Sequence, residues 1–133
     1  MALDPGTKRI GVSVSDSGRT MAFPRPALSA EGDVVSRIVS LVDEEGIRLV
    51  VVGLPRALSG KEGASAVSAR DLAGRLSEAL EGVGVGVDLH DERLTTVSAA
   101  QSLSLAGVSA RGQRAVIDSA AATVLLESWM AAQ

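Results

Sequence analysis

The sequence predicts an α/β domain on a five-stranded mixed sheet, three antiparallel strands first and two parallel strands after, flanked by helices. Two patterns carry this expectation. Ile10 to Ser15 alternates apolar with small or polar residues, as a half-buried strand does, and Asp16-Ser17-Gly18-Arg19 then reads as a turn. Farther on, Leu49-Val50-Val51-Val52-Gly53 is an unbroken apolar run between two segments of helical period, which marks a parallel strand covered on both faces.

The elements follow in order. A short apolar strand ends at Asp4, where Pro5-Gly6-Thr7-Lys8 forms a glycine-bearing polar turn into the strand at Ile10–Ser15. A third short strand is expected near Met21 to Pro24, completing an antiparallel meander. Val34, Val35, Ile38, Val39, Leu41 and Val42 recur at helical spacing until Gly46, and Ala69, Leu72, Ala73, Leu76 and Leu80 give a second helix face ending at Gly82. Val85 to Leu89 supplies the fifth strand, so the chain has entered βαβ alternation. Thr95 or Thr96 can cap a short helix through Leu105, and a last helix runs from about Gly112 to Met130 with Ile117, Ala121, Val124, Leu125 and Trp129 inward. Only Met1, Ala2 and Leu3 precede Asp4, which is short for a first strand and suggests a trimmed or misassigned start and a frayed strand.

Composition limits the chemistry. The 133 residues, 46% of them apolar, suit one domain spanning 1–133 with a real core. Phe and Trp occur once each and Tyr is absent, so Val, Leu, Ile and Ala build that core and an aromatic platform for base stacking is not expected. Without cysteine, and with His90 the single histidine, disulfides, thiol catalysis and Cys/His zinc sites are excluded. Hard oxygen ligands remain, and these suit Mg²⁺ or Mn²⁺. No leader pattern and no apolar stretch near the ~20 residues of a membrane span is found, so a soluble cytoplasmic protein is expected. A net charge of −3 argues against indiscriminate nucleic-acid binding and leaves that task to local basic residues.

Three acidic motifs stand at element ends or on a helix: Asp4-Pro5-Gly6-Thr7, Asp91-Glu92-Arg93-Leu94-Thr95-Thr96 and Ile117-Asp118-Ser119-Ala120-Ala121. Separated carboxylates of this kind suggest a metal-dependent phosphodiester site, since two divalent ions ~3.5 to 4 Å apart activate a water and stabilise the leaving oxygen. Each has a plainer explanation as well. Asp4 can simply form a turn, Asp91 and Glu92 can pair with Arg93, and Asp118 can complement a helix dipole. Asp16 fits a hairpin turn and His90 a strand end. The stretch Gly53 to Lys61 is not a phosphate loop, because six residues separate its glycines and Glu62 stands where Ser or Thr should bind the metal. Gly82-Val83-Gly84-Val85-Gly86 precedes a strand rather than following one, so it reads as a helix terminator.

The element order resembles the ribonuclease H-like fold. The segments DPGTKRIGVSVSD, VVGLPRALSGKEG, DERLTT and IDSAAATVLL resemble the YqgF/RuvX family of pre-16S rRNA nucleases and relatives of Holliday-junction resolvases, in the expected order over most of the chain. The resemblance implies an endonuclease with Asp4, Glu92 and Asp118 as catalytic and metal-binding acids and Mg²⁺ or Mn²⁺ as cofactor in a two-metal site. Asp91 is the lesser competitor to Glu92, because neighbours on a strand point to opposite faces. Lys8, Arg9, Arg56, Arg93, Thr95 and Arg114 are the candidates for gripping a phosphate backbone, whereas Lys61 and Arg111 read as solvated surface charges. The expected substrate is precursor 16S rRNA during ribosome biogenesis, with branched DNA as the alternative, no membrane partner, and a monomer or homodimer. A resolvase of this fold carries an acid at the end of the fourth strand, where this chain has Gly53, so RNA processing ranks first. A non-catalytic rRNA-binding maturation factor and an actin-like ATP-binding lobe are the remaining alternatives; the first should lack the acids, and the second needs two lobes.

Overall fold

The computed structural model describes residues 1–6, 8–55, 63–91 and 119–133. Five strands form one sheet: β1 (Ala2–Pro5), β2 (Arg9–Ser15), β3 (Ala22–Ser29), β4 (Leu49–Leu54) and β5 (Gly86–Asp91). Their order is β3-β2-β1-β4-β5, with β1–β2 and β2–β3 antiparallel and β1–β4 and β4–β5 parallel. This is the expected mixed sheet. Helices α1 (Val34–Glu45) and α2 (Ala64–Leu80) cover one face, and α3 (Ala120–Ala131) covers the other.

The first strand is not frayed. It is the central strand, paired on both sides, and Met1, Ala2 and Leu3 are buried. Strand alternation divides its neighbours between two cores. Leu3, Ile10, Val12, Val14, Val50, Val52 and Leu54 join Ile38, Val42, Leu72 and Leu76 in the larger one. Ala2 and Val51 face Leu125, Leu126 and Trp129 in the smaller one. An apolar β4 is therefore required, because both of its faces are covered.

Local signals end α1 as its sequence dictates. The Asp33 carboxylate caps it, accepting from Ser36 N–H (3.1 Å) and from the Ser36 hydroxyl (2.8 Å), and these bonds hold the Asp33 carboxyl below its ordinary range. Gly46 stops it in the left-handed region, at φ 65°. Asp16 is the turn former expected of it. Its carboxylate accepts from the Thr20 hydroxyl and from the Thr20 and Met21 N–H groups, which lowers its pKa. All five residues expected to form the inward face of α2 are buried.

Two expectations shift. The third strand runs to Ser29 rather than stopping at Pro24, because Pro24 and Pro26 lie on an edge strand, where a missing N–H costs no ladder bond. Between Ile10↔Leu28 and Val12↔Arg25 the register slips, three steps of β3 against two of β2, so β3 bulges around Pro26. On α3, Leu125 and Trp129 point inward as expected, but Ala122 and Leu126 are buried more deeply than Ala121 and Val124. The short helix expected after Thr95, and the portion of the last helix before Ser119, lie outside the described residues.

Candidate active site

Asp4 occupies the carboxyl end of the central strand, half-buried, opposite Gly11 of β2. It shares its face with Ala2 and hence with α3. The register that pairs Leu3 with Val52 brings Asp4 level with Gly53, and Gly53 pairs with His90. Asp4, Gly53 and His90 therefore form one row across the sheet on the α3 side. Among the described residues no hydrogen bond or ion pair engages the Asp4 carboxylate.

The turn beyond Asp4 is tight. Gly6 N–H donates to the Arg9 carbonyl at 3.0 Å, and a Cβ on Gly6 would stand 2.5 Å from that oxygen, so only glycine fits. Lys8 and Arg9 follow, both exposed. Arg9 is two residues from Gly11, so alternation sets it on the Asp4 face at the hairpin end of β2.

Asp91 lies on the opposite face. It pairs with Leu54, which is buried in the core under α1 and α2, and is offset by one residue from His90 on the α3 side. Asp91 and Asp4 thus stand on opposite faces of the sheet. Glu92, Arg93, Thr95, Arg114, Asp118 and Arg56 lie outside the described residues. Among the described residues no cluster of three or more His, Asp or Glu forms a metal site, and Asp4 is the one proposed ligand placed on the α3 face.

His90 has a structural task. Its Nε2 lies 3.0 Å from the Ser128 hydroxyl, and Trp129 Nε1 donates to Asp88 at 3.2 Å, so two polar contacts hold α3 against β5. The N-terminus of α3 is held differently. Ser119 is fully buried, accepts from Val12 N–H at 3.0 Å and donates to the Arg25 carbonyl. Sequence reasoning passed over Ser119, since a serine ahead of an alanine-rich helix looks like an ordinary cap. A cavity of about 570 Å³, bordered by Arg19, Arg48, Val51, Leu126 and Trp129, opens at the other end of the sheet, where β1 and β4 begin. It is remote from Asp4 and is not the candidate site.

A β3-β2-β1-β4-β5 mixed sheet with an acid at the carboxyl end of its central strand is the architecture of the ribonuclease H-like class. The chain belongs to the RuvX family, described as Holliday junction resolvase, whose model matches residues 1–132. Relatives named "Putative pre-16S rRNA nuclease" include that of Mycolicibacterium paratuberculosis, 46% identical over 132 residues, covering 98% of this chain and 78% of the relative. The Corynebacterium diphtheriae relative of the same name is 41% identical over 143 residues, covering all of this chain and 84% of the relative. Among solved structures, Thermus thermophilus RuvC in complex with a Holliday junction substrate superposes with a TM-score of 0.60 at 17% identity, over 98% of this chain and 92% of that one. That likeness is one of fold.

Proposed function

We propose that this chain is a metal-dependent endonuclease that trims the 5′ end of precursor 16S rRNA in the cytoplasm. The observation that carries the reading is Asp4, a half-buried carboxylate with no partner among the described residues, at the carboxyl edge of the central strand and on the face that α3 covers. A carboxylate partly withdrawn from water is stabilised by a cation beside it, and its hard oxygens suit Mg²⁺ or Mn²⁺. When bound, such ions activate water and neutralise charge on the leaving oxygen.

Asp118, which immediately precedes Ser119 at the start of α3, and Glu92 are the further acids. The parity of β5 supports Glu92 over Asp91, because Asp91 shares the face of the buried Leu54. Arg9 and Lys8 at the hairpin would contact the phosphate backbone, with Arg56, Arg93, Thr95 and Arg114 contributing from segments outside the described residues. Gly53, in the row of Asp4, leaves β4 without an acid there, which favours single-strand RNA cleavage over junction resolution and needs no symmetric dimer.

The test is cleavage of a precursor 16S rRNA fragment and of a four-way DNA junction in Mg²⁺ or Mn²⁺, by the native sequence and by Asp4→Asn. RNA cleavage abolished by Asp4→Asn, with the fold retained, is the expected result. Cleavage that survives Asp4→Asn refutes the site, and preference for the junction refutes the substrate.

A further inference from the structure

We propose that Ser119 is a positioning residue of this active site: its hydroxyl locks the start of α3 into the β2–β3 bulge, one residue from the strand position that faces Asp4, and so fixes the α3 side of the site. The inference rests on the nuclease reading above and adds to it the contact that holds α3 over the face carrying Asp4.

A serine at a helix N-cap ordinarily turns its hydroxyl to the N–H groups of its own first turn. Ser119 does not. No side-chain cap bond forms at α3, and only the Ser119 main-chain carbonyl serves the helix, accepting from Thr123 N–H and the Thr123 hydroxyl at 3.0 Å each. The hydroxyl crosses to the sheet instead. There it joins Val12 N–H to the Arg25 carbonyl, residues 107 and 94 positions away in sequence.

The place it joins is the slip in register between β2 and β3. A bulge leaves ladder groups of both strands without their regular partners, and a buried polar group without a partner is expensive. Val12 N–H and the Arg25 carbonyl form such a donor–acceptor pair, and a hydroxyl, which both donates and accepts, bridges it with one side chain. Ser119 is fully buried, so water does not substitute.

The geometry leads to Asp4. Val12 is next to Gly11, the residue paired with Asp4, so the bridge is fastened one residue from the strand position facing that acid. Removing partners that orient metal-binding groups typically costs about 10- to 100-fold in metal affinity or activity.

The experiment compares Ser119→Ala with Leu76→Ala, a control that empties a fully buried position of α2 on the opposite face. Mn²⁺ affinity is measured by calorimetry on the intact protein, beside kcat and KM for precursor RNA and the thermal midpoint. Expected for Ser119→Ala are a Kd for Mn²⁺ raised about 10-fold or more and kcat lowered about 10-fold or more, with KM for RNA little changed. Leu76→Ala should lower the midpoint without either effect. If Ser119→Ala fails to fold, Ser119→Cys, close in shape but with a weaker donor and acceptor, is expected to show the same losses in smaller degree.

Serine variants that match Leu76→Ala in Mn²⁺ affinity and kcat overturn the proposal, leaving Ser119 a stabilising residue only. Native protein that binds Mn²⁺ but cleaves neither substrate refutes the nuclease reading, while the Mn²⁺ comparison still decides the role of Ser119. Native protein that binds no Mn²⁺ overturns both.

Discussion

Replacing Gly6 by alanine tests how closely the first hairpin holds Asp4. The added Cβ would lie 2.5 Å from the Arg9 carbonyl oxygen, whereas real Cβ contacts essentially never fall under 3.0 Å. The neighbour is backbone, so it cannot rotate away. That oxygen must retreat by about 0.5 Å merely to reach the shortest tolerated contact, and the same oxygen accepts Gly6 N–H at 3.0 Å. The bond stretches beyond useful length, losing about 0.5–1.5 kcal/mol, and displacement of the turn adds strain of about 1–3 kcal/mol. The stiffer unfolded chain returns about 0.4–1 kcal/mol. A net loss of about 1–3 kcal/mol follows, and the thermal midpoint should drop by several degrees. Asp4 stands two residues upstream, and a misplacement of about 1 Å can cost about 100-fold in rate, so kcat should fall further than stability alone explains. Calorimetry and precursor-RNA cleavage assays check both. A Gly6→Ala protein with an unchanged midpoint and unchanged kcat would refute the reasoning.

Other consequences are more local. In the 133-residue chain the Met1 amine is pushed down from 8.0 to about 6, by burial first and by Arg19 second, while it donates to the Leu49 carbonyl at 3.1 Å. The unfolded state then binds more protons between pH 6 and 8, so stability should rise with pH across that window, by roughly 2 kcal/mol. Denaturant melts at pH 6 and pH 8 check it, and acetylating the amine should remove the dependence. Leu125→Ala, which empties a fully buried site in the small core beneath α3, should cost about 2–5 kcal/mol in denaturant unfolding, whereas Leu125→Met should cost less than about 1.5 kcal/mol.

Much of this fold was legible because periodicity reports burial directly. The unbroken apolar run of β4 appears where both faces are covered, and the helical spacing of Leu72, Leu76 and Leu80 where one face is. Asp4 was legible as a strand-end acid, and alternation along β5 accounts for Asp91 standing on the opposite face, level with the buried Leu54. The length of β3 was not legible, since proline is permitted there by an edge position that only the sheet order reveals. The depth of Ala122 and Leu126 depends on how α3 lies across β1 and β4, and an apolar helix with little amphipathic contrast does not encode that rotation. Ser119 was hidden for a related reason: its partners are 107 and 94 residues away and arise from a register slip that no local pattern announces.

The central claim is that the metal-dependent site lies on the α3 face of the sheet at Asp4. Anomalous diffraction from crystals grown with Mn²⁺ tests it most directly. The account expects Mn²⁺ density within bonding distance of the Asp4 carboxylate, about 2.0–2.4 Å, with Glu92 rather than Asp91 among the other ligands. Density coordinated by Asp91, or bound Mn²⁺ that leaves Asp4 untouched, would contradict it.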